Sequence, residues 1–313
     1  MTLRLLWGSG LVALVLVAAP ASAFVRNTTA PQGSSAPGPE LFWCTRQPSF
    51  VMNEKGSKNA GAEASLAAVR RSFEAWTTPD CTDLTFADDG TTSRTDVGFD
   101  SGASDNINLV VWREVDCEQV VPHTDTCLLS GSCGNKYGCW DHASNIIAVT
   151  TTSFDNTTGE ILDADIELNG ARFVFTTVDS PPCASPPPPG TVDCVATDIE
   201  NTVTHEAGHF IGLAHSPDPS ATMFASEALG ETTKRVLSSD DVAGVCAIYP
   251  KGTPVPEACS QSGRGGGSGG GGGSQSGCGC STGPDGALLG GALAVAPLLA
   301  RRRRRAVPVP AAG

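Results

Sequence analysis

Apolar side chains recur at helical spacing along residues 63–76, where Leu66, Val69, Phe73 and Trp76 fall on one face. This spacing predicts a helix packed on a sheet. Runs of β-branched residues and polar–apolar alternation predict strands elsewhere. These segments are residues 107–112, 145–152 and 162–168, together with a short apolar run within residues 41–51 that can open the sheet.

Two polar clusters predict where later helices begin. Thr197-Asp198-Ile199-Glu200 has the capping-box pattern and leads into a histidine-containing stretch. Ser239-Asp240-Asp241 opens a last short helix, which Pro250 ends. The chain is therefore expected to combine helices with strands.

The cysteines indicate disulfides. The chain has 12, and all except Cys278 and Cys280 lie at irregular spacings between Cys44 and Cys259. They form no repeated Cys-x-x-Cys knuckles, so disulfides in an oxidising compartment are favoured over a zinc ribbon. Cys183 and Cys194 enclose four prolines and predict a rigid, disulfide-closed loop. The loop between the strands at 107–112 and 145–152 is expected to be stapled rather than helical; its cysteines are Cys117, Cys127, Cys133 and Cys139.

The ends of the chain differ in composition from its middle. Residues 1–23 have a basic start, an apolar run too short for a stable membrane span and a small-residue pattern, Ala21-Ser22-Ala23. They predict a secretory signal peptide, with an uncleaved anchor as the alternative. Residues 24–40 are a Pro/Ser/Thr-rich leader, expected to be flexible. Residues 251–277, rich in Pro and then Gly/Ser, are typical of a flexible linker, so the folded domain is predicted at 41–250.

The charge balance restricts the choice of partners. The formal net charge is −13, and five consecutive arginines lie in the C-terminal tail, so the remainder is more acidic still. Such a surface repels phosphate backbones, and no nucleic-acid partner is expected. The excess of aspartate also suits calcium, although no EF-hand spacing is present.

One stretch carries the candidate chemistry: His205-Glu206-Ala207-Gly208-His209-Phe210-Ile211-Gly212-Leu213-Ala214-His215. Two histidines four apart on a helix share a face, so both can bind one zinc ion, and Glu206 lies beside them as a general base. A regular helix would carry His215 away from the metal. Gly212 can take a left-handed conformation and turn the chain back, so that His215 is the third ligand. A buried structural histidine cluster is the alternative.

This stretch resembles the metzincin signature, in which a methionine turn follows. Ser220-Ala221-Thr222-Met223 matches that turn, and the resemblance implies that Met223 lies beneath the zinc site. It also implies an α+β fold: a mixed twisted sheet with two long helices, a zinc-binding helix and a short C-terminal helix. Ala225 stands where astacins and serralysins have a tyrosine, so three histidines without a tyrosine ligand are expected.

Further residues resemble the matrixin branch of the metzincins. They are Ser216 after the third histidine and the Asp240-Asp241 pair before the closing helix. The resemblance implies that the earlier of the two strands before the zinc helix pairs with extended polypeptide substrates. The residues of this substrate strand are Ile146, Ile147, Ala148, Val149 and Thr150.

The chain departs from animal matrixins at their second, structural zinc. It has His123-Thr124-Asp125, but Val149 and Asp165 stand where the strand histidines would fall, and His142 is the only other candidate. One catalytic zinc is therefore expected, with disulfides holding the loop. Because only 17 residues, 24–40, separate the predicted signal cleavage from Leu41, no matrixin-type prodomain is expected, and how latency is kept stays open. Cys44 either forms a disulfide, with Cys81 as one partner, or caps the zinc as a thiolate; the disulfide is favoured.

The C-terminal tail, residues 278–313, has Cys278 before an apolar run and an arginine cluster. It resembles a myxobacterial-type sorting tail, which implies tail-processing machinery acting near Cys278 and surface attachment. A simple membrane anchor is the alternative, and membrane contact is expected only through this tail.

Together these patterns predict an exported, monomeric zinc endopeptidase that hydrolyses peptide bonds with metal-activated water and Glu206 as the base. Two alternatives stay open. One is a non-catalytic surface adhesion or binding module that contains zinc, and the other is a self-processing factor that cuts only its own leader. Subsite preference cannot be predicted from the sequence.

Overall fold

The computed structural model describes residues 24–31, 34, 36–130, 132–257, 259 and 273–276. The predicted signal peptide, residues 1–23, and the predicted tail, residues 278–313, lie outside these residues. The strands are β1 (Val25–Arg26), β2 (Ser49–Asn53), β3 (Ala87–Thr92), β4 (Leu109–Trp112), β5 (Ala148–Phe154), β6 (Ile161–Leu168), β7 (Phe175–Thr176), β8 (Thr197–Asp198), β9 (Leu213–Ala214) and β10 (Gly273–Ser276). The helices are α1 (Ala62–Ala75), α2 (Cys117–Val120), α3 (Cys127–Ser130), α4 (Cys133–Tyr137), α5 (Ile199–Phe210) and α6 (Ser239–Ile248).

The main sheet has the order β10-β5-β6-β4-β2-β3. Strands β3, β2, β4 and β6 are parallel, whereas β5 runs antiparallel to β6. β10, from the Gly/Ser-rich linker, pairs antiparallel with Thr151–Phe154 of β5. Mixed pairing together with helices confirms the predicted α+β class with a mixed sheet.

Helices α1 and α5 cover one face of this sheet. The Phe73 ring of α1 stacks on Phe50 of β2 at a centroid distance of 4.0 Å and meets the Phe210 ring of α5 edge-on at 5.3 Å. The indole N–H of Trp76 donates to the Thr204 carbonyl at 2.9 Å. Burial of large aromatic side chains supplies most of the stabilisation at such a contact, so α5 is held firmly against the sheet.

The opposite face of β6 carries buried acids. Asp165 and Glu167 are two residues apart and so share that face. Asp165 accepts the backbone N–H groups of Gly98 and Leu109 at 2.5 and 2.7 Å. Glu167 pairs with the buried Arg113 guanidinium at 2.5 Å, and its other oxygen lies 3.3 Å from His142 Nε2. These contacts hold the segment that covers this face, residues 113–147 between β4 and β5, against the sheet.

That covering segment differs from the predicted non-helical loop. Disulfides Cys117–Cys139 and Cys127–Cys133 do staple it, but each of α2, α3 and α4 begins at one of these cysteines. The prediction of a stapled loop was right, and the exclusion of helices was wrong. A cross-link over a few residues favours compact turns, and a single helical turn is the most compact way to satisfy backbone hydrogen bonds there.

The remaining disulfides correct one pairing. Cys44 bonds to Cys259 and Cys81 to Cys246, so a Cys44–Cys81 bridge does not form and Cys44 is no free thiol. Cys183–Cys194 closes the proline-rich loop as predicted. Both long-range bridges join the N-terminal half of the domain to the region around α6.

The leader and the linker contact the domain. β1 pairs antiparallel with β9, and Arg26 forms an ion pair with Glu40. Phe24 packs against the main core.

Within the residues that the structure describes, no helix is long and apolar enough to cross a membrane.

We predict that Arg113→Met lowers the free energy of unfolding by about 3–5 kcal/mol, because it leaves the Glu167 carboxylate buried without its main counter-ion. Chemical denaturation with the disulfides intact measures this. The double variant Arg113→Met/Glu167→Leu should recover most of the loss. In contrast, Arg70→Met removes a partly exposed pair with Asp88 and should cost less than about 1 kcal/mol. Equal losses in the two single variants would contradict this account.

Candidate metal centre

Three histidine side chains converge at the end of α5. His205 and His209 lie on consecutive turns of the helix, and His215 follows the turn after it. Their ligand atoms all lie within 4.8 Å of one another. The Nε2 atom of each is buried and has no hydrogen-bond partner within the described structure. Three orphaned imidazole nitrogens aimed at one point are the donor set of an open zinc site, so the residues fit this ion.

The other ring nitrogens fix how the imidazoles are oriented. Nδ1 of His205 lies 2.6 Å from the Thr222 carbonyl, and Nδ1 of His209 lies 2.8 Å from the Leu213 carbonyl. A carbonyl accepts only from a protonated nitrogen, so each contact leaves the lone pair on Nε2. Burial lowers the pKa of His209 to about 4 and that of His215 to about 2. The imidazoles are therefore neutral at physiological pH, the form that binds metal.

Gly212 makes the turn that brings His215 into the cluster. Its φ is +101°, in the region that favours glycine. A Cβ at this position would lie 2.5 Å from the Leu41 carbonyl oxygen. The turn is also held by pairing of the following strand β9 with β1. Both the backbone conformation and the close approach of Leu41 thus require glycine here.

Glu206 is fully buried beside the histidines. The hydroxyl of Thr150 on β5 lies 2.6 Å from its Oε2 atom. This contact orients the carboxylate from the strand side of the site. The sequence placed Thr150 in the substrate strand but gave no sign of this second contact, because a strand pattern does not reveal which helix residue lies opposite.

Met223 packs directly beneath α5. A Cβ on Gly208 would lie 2.1 Å from the Met223 sulfur, so the absence of a side chain at 208 makes room for it. The turn itself is fixed by Asp241, whose carboxylate accepts the N–H groups of Thr222 and Met223 at 2.7 and 3.0 Å. The same carboxylate completes the capping box of α6 with Ser238. Asp241 therefore positions the carbonyl that holds His205.

The start of α5 is capped differently from the prediction. The N-cap is Asp198, whose side chain accepts the Asn201 N–H at 2.7 Å. Thr197 lies one residue earlier, in β8, so a Thr197–Glu200 capping box is not formed. Glu200 instead pairs with Arg71 of α1. An aspartate cap binds the positive helix end more strongly than a threonine hydroxyl does, and it also pairs here with Arg235 at 2.6 Å.

Two charged residues after Met223 are buried, which the sequence did not indicate. Lys234 donates to the Phe224 and Ser226 carbonyls, both at 2.7 Å. Glu227 contacts the Thr202 hydroxyl of α5 at 3.0 and 3.1 Å. Burial raises the pKa of Glu227 to about 8, although the nearby Lys234 opposes this shift. These contacts fix the segment after the methionine turn against the zinc-binding helix.

The other predicted positions lie as follows. Ile146 precedes β5, and Ile147 to Thr150 run into and along it, with β10 pairing only beyond Thr150. His123 is exposed, and His142 lies against Glu167 rather than near the three histidines. Within the described ranges, the three histidines are the one group of acids, cysteines or histidines placed to share an ion.

Comparison with known proteins agrees with this geometry. Residues 133–250 match the family model described as matrixin. A metalloendoproteinase, 1-MMP, of Arabidopsis thaliana is 52% identical over 56 residues, 18% of this chain and 15% of the relative. Human neutrophil collagenase is 42% identical over 66 residues, and human matrilysin 42% over 48 residues. These two alignments cover 18% and 15% of this chain, and 14% and 18% of the respective relatives.

The family match covers the part that contains the metal centre, and the alignments span less than a fifth of the length of these relatives. Within that part they support a metzincin-like α+β domain of the zinc metalloendopeptidase class. The predicted signal peptide and sorting tail lie outside the matched family region.

Glu227 gives a testable pH dependence. Its folded-state pKa of about 8 lies above the unfolded value, so the folded state holds its proton more tightly. Its contribution to stability is complete below about pH 4.5 and is lost as pH rises through about 8. Glu227→Gln keeps an acceptor for Thr202 without this titration. We expect its unfolding free energy, relative to the parent, to increase from pH 5 to pH 8.

Denaturant titrations at several pH values, with zinc present throughout, measure this difference. Glu74→Gln on the exposed face of α1 is the matched control and should show no such trend. A parallel pH dependence for Glu227→Gln and its parent would contradict the assignment.

Proposed function

We propose that this chain is an exported zinc endopeptidase, surface-attached or released, that hydrolyses peptide bonds in extended polypeptides. The observation that carries the proposal is the set of three buried, unpartnered Nε2 atoms with Glu206 on the same helix turn. The matrixin match over this region supports it. The disulfides are consistent with export.

In this mechanism His205, His209 and His215 hold one zinc ion. When bound, zinc polarises the scissile carbonyl and makes a nearby water more acidic. Glu206 accepts a proton from the attacking water at a carboxylate oxygen and then delivers it to the leaving amine. Thr150 keeps the carboxylate oriented through its Oε2 contact. The products are a new carboxyl group and a new amine, and no covalent enzyme intermediate is required.

Substrate binding is assigned to the edge of β5. Ile146, Ile147, Ala148, Val149 and Thr150 lead along this edge to the Glu206 contact. β10 already pairs antiparallel with the adjoining residues Thr151–Phe154, which illustrates how an extended chain docks there. Pairing through backbone groups recognises an extended peptide whatever its side chains.

The domain limits follow the same proposal. Residues 1–23 are removed on export, residues 41–250 form the monomeric protease domain, and residues 251–277 link it to the sorting tail. Calcium binding is proposed only as an accessory property.

The alternative function is that of a zinc-containing adhesion module. It assigns no role to the Thr150–Glu206 contact, and the observations favour the protease.

Zinc content and casein cleavage by the exported protein test the proposal. We expect one zinc per chain in the parent, in Glu206→Ala and in the control Glu200→Ala, which alters an acid at the start of the same helix. Cleavage should fall by about 10²–10⁴-fold only in Glu206→Ala, because the general base is lost. A chelator should abolish cleavage by the parent, and added zinc should restore it.

Each alternative result has a distinct meaning. Zinc without cleavage in the parent would favour the adhesion module. A folded parent that binds no zinc would overturn the site. Full activity in Glu206→Ala would remove Glu206 from the mechanism.

The predicted processing has its own test. The intact mass of the exported protein, with terminal peptide mapping, should place the N-terminus at Phe24 and a modified or cleaved C-terminus near Cys278. Recovery of an unmodified full chain would rule out both the signal peptide and the sorting tail.

A further inference from the structure

Four consecutive backbone carbonyls at the end of α5, those of residues 210–213, accept hydrogen bonds from distant parts of the chain. A helix leaves its last carbonyls without partners of its own, so these groups must be satisfied from elsewhere. The Trp43 indole N–H donates to the first carbonyl at 2.8 Å, and the Tyr249 hydroxyl donates to the second at 3.0 Å. The third and the fourth both accept from Asn27, a residue of the leader.

Asn27 holds the turn after α5 through its backbone and its side chain. Its N–H donates to the Gly212 carbonyl at 2.9 Å, and its side-chain Nδ2 donates to the Leu213 carbonyl at 2.9 Å. Because a carbonyl can only accept, the amide nitrogen of Asn27 and not its amide oxygen must face Leu213. Asn27 is itself anchored, since its own carbonyl accepts the Leu41 N–H at 2.8 Å. The leader therefore holds the turn from a fixed position.

The Leu213 carbonyl connects Asn27 to a proposed metal ligand. It accepts from the Asn27 amide and also lies 2.8 Å from Nδ1 of His209. A carbonyl oxygen has two lone pairs, so it can accept from both donors at once. Among the four carbonyls, and within the described structure, it is the one that binds a histidine ring. Asn27 is thus one hydrogen-bonded group away from the metal centre.

The same peptide group also sets the path to the third histidine. Leu213 begins β9, and His215 follows two residues later. A rotation of the Leu213 peptide would tilt the His209 imidazole and shift the start of β9 at the same time. The side-chain amide of Asn27 therefore acts on two of the three histidines, on one through a shared carbonyl and on the other through the backbone.

Position 27 needs an amide for this contact. An aspartate of the same size would place a carboxylate oxygen against the Leu213 carbonyl oxygen, and neither group can donate. A shorter side chain would leave this carbonyl with His209 as its one side-chain donor. Groups that orient a metal-binding imidazole influence metal affinity, and their loss weakens it by about 10–100-fold.

We infer that Asn27 is a positioning residue of the metal centre: its side-chain amide fixes the Leu213 carbonyl, which orients His209 and sets the start of the strand that leads to His215. This inference rests on the proposed zinc site. It goes beyond that site because it makes the leader, which its composition predicted to be flexible, a working part of the metal centre.

The zinc affinity of the exported protein, measured by competition with a chelator, tests this inference. We expect Asn27→Asp and Asn27→Ala to weaken zinc binding by about 10–100-fold, because the Leu213 carbonyl is no longer held. Asn27→Gln keeps an amide donor on a longer side chain and should recover part of this loss. Val25→Ser changes an exposed side chain of the adjoining strand β1 and should bind zinc as the parent does.

Cobalt(II) in place of zinc gives a second readout that does not depend on cleavage. Its visible absorption reports the geometry of the ligands, so the spectrum of Asn27→Asp should differ from that of the parent. Tyr249→Phe is the matched structural control, because it removes the donor to the Ile211 carbonyl, which binds no histidine in the described structure. It should lower the denaturation midpoint of the metal-free protein and keep the parental zinc affinity and cobalt spectrum.

The possible failures are distinguishable. Parental zinc affinity and cobalt spectrum in both Asn27→Asp and Asn27→Ala would overturn the inference and leave the zinc site in place. An equal loss of zinc affinity in Tyr249→Phe would also overturn it, because a general loosening at the end of α5 would then explain the effect. A folded parent that binds neither zinc nor cobalt would overturn the proposed function itself.

Discussion

The structure depends on aiming three neutral imidazoles at one buried point. The helix repeat alone brings two of them together, His205 and His209, because residues four apart on α5 share a face. The third must be brought back by a change of chain direction immediately after the helix. That turn needs a left-handed residue and a close backbone approach at Leu41, and glycine satisfies both conditions. Burial then keeps the rings unprotonated, so the fold itself produces the state that binds metal.

Polar contacts connect this arrangement to the rest of the domain. Asp241 serves two elements at once, since it caps α6 and also holds the methionine turn whose carbonyl accepts from His205. Met223 then fills the space that Gly208 leaves under the zinc-binding helix. A substitution in α6, near the C-terminal end of the domain, can therefore affect the metal ligands through only two or three hydrogen bonds. In the same way, Thr150 links the proposed substrate edge to Glu206, so peptide docking and base orientation share one strand.

Much of this could be predicted from the sequence, for physical reasons. Helix α1 and strand β6 have clear periodicity because one face of each carries the apolar side chains that enter the main core, and the metal centre is encoded locally within eleven positions. β3 was missed because its sequence, Ala87 to Thr92, is polar, and it is a strand only through pairing with β2. The capping of α5 by Asp198 was misassigned since two adjacent residues could both cap, and the choice depends on Arg235, far along the chain. Burial of Lys234 and Glu227 is likewise a tertiary effect, because either residue alone would be expected in solvent.

The Cys44–Cys259 bridge spans 215 residues and ties the first part of the predicted linker to the domain. If the molecule is held at a surface by its tail, a pull on the tail meets the β10–β5 pairing first and, once that pairing opens, this bond. Part of the tension passes directly to Cys44, next to the central sheet, and the second bridge, Cys81–Cys246, fixes α6 to the chain beyond α1. A pull on the linker would therefore not peel α6 away and disturb Asp241. In a molecule held by its tail, as proposed, the two disulfides would thus shield α6 and, through Asp241, the metal ligands from such a pull.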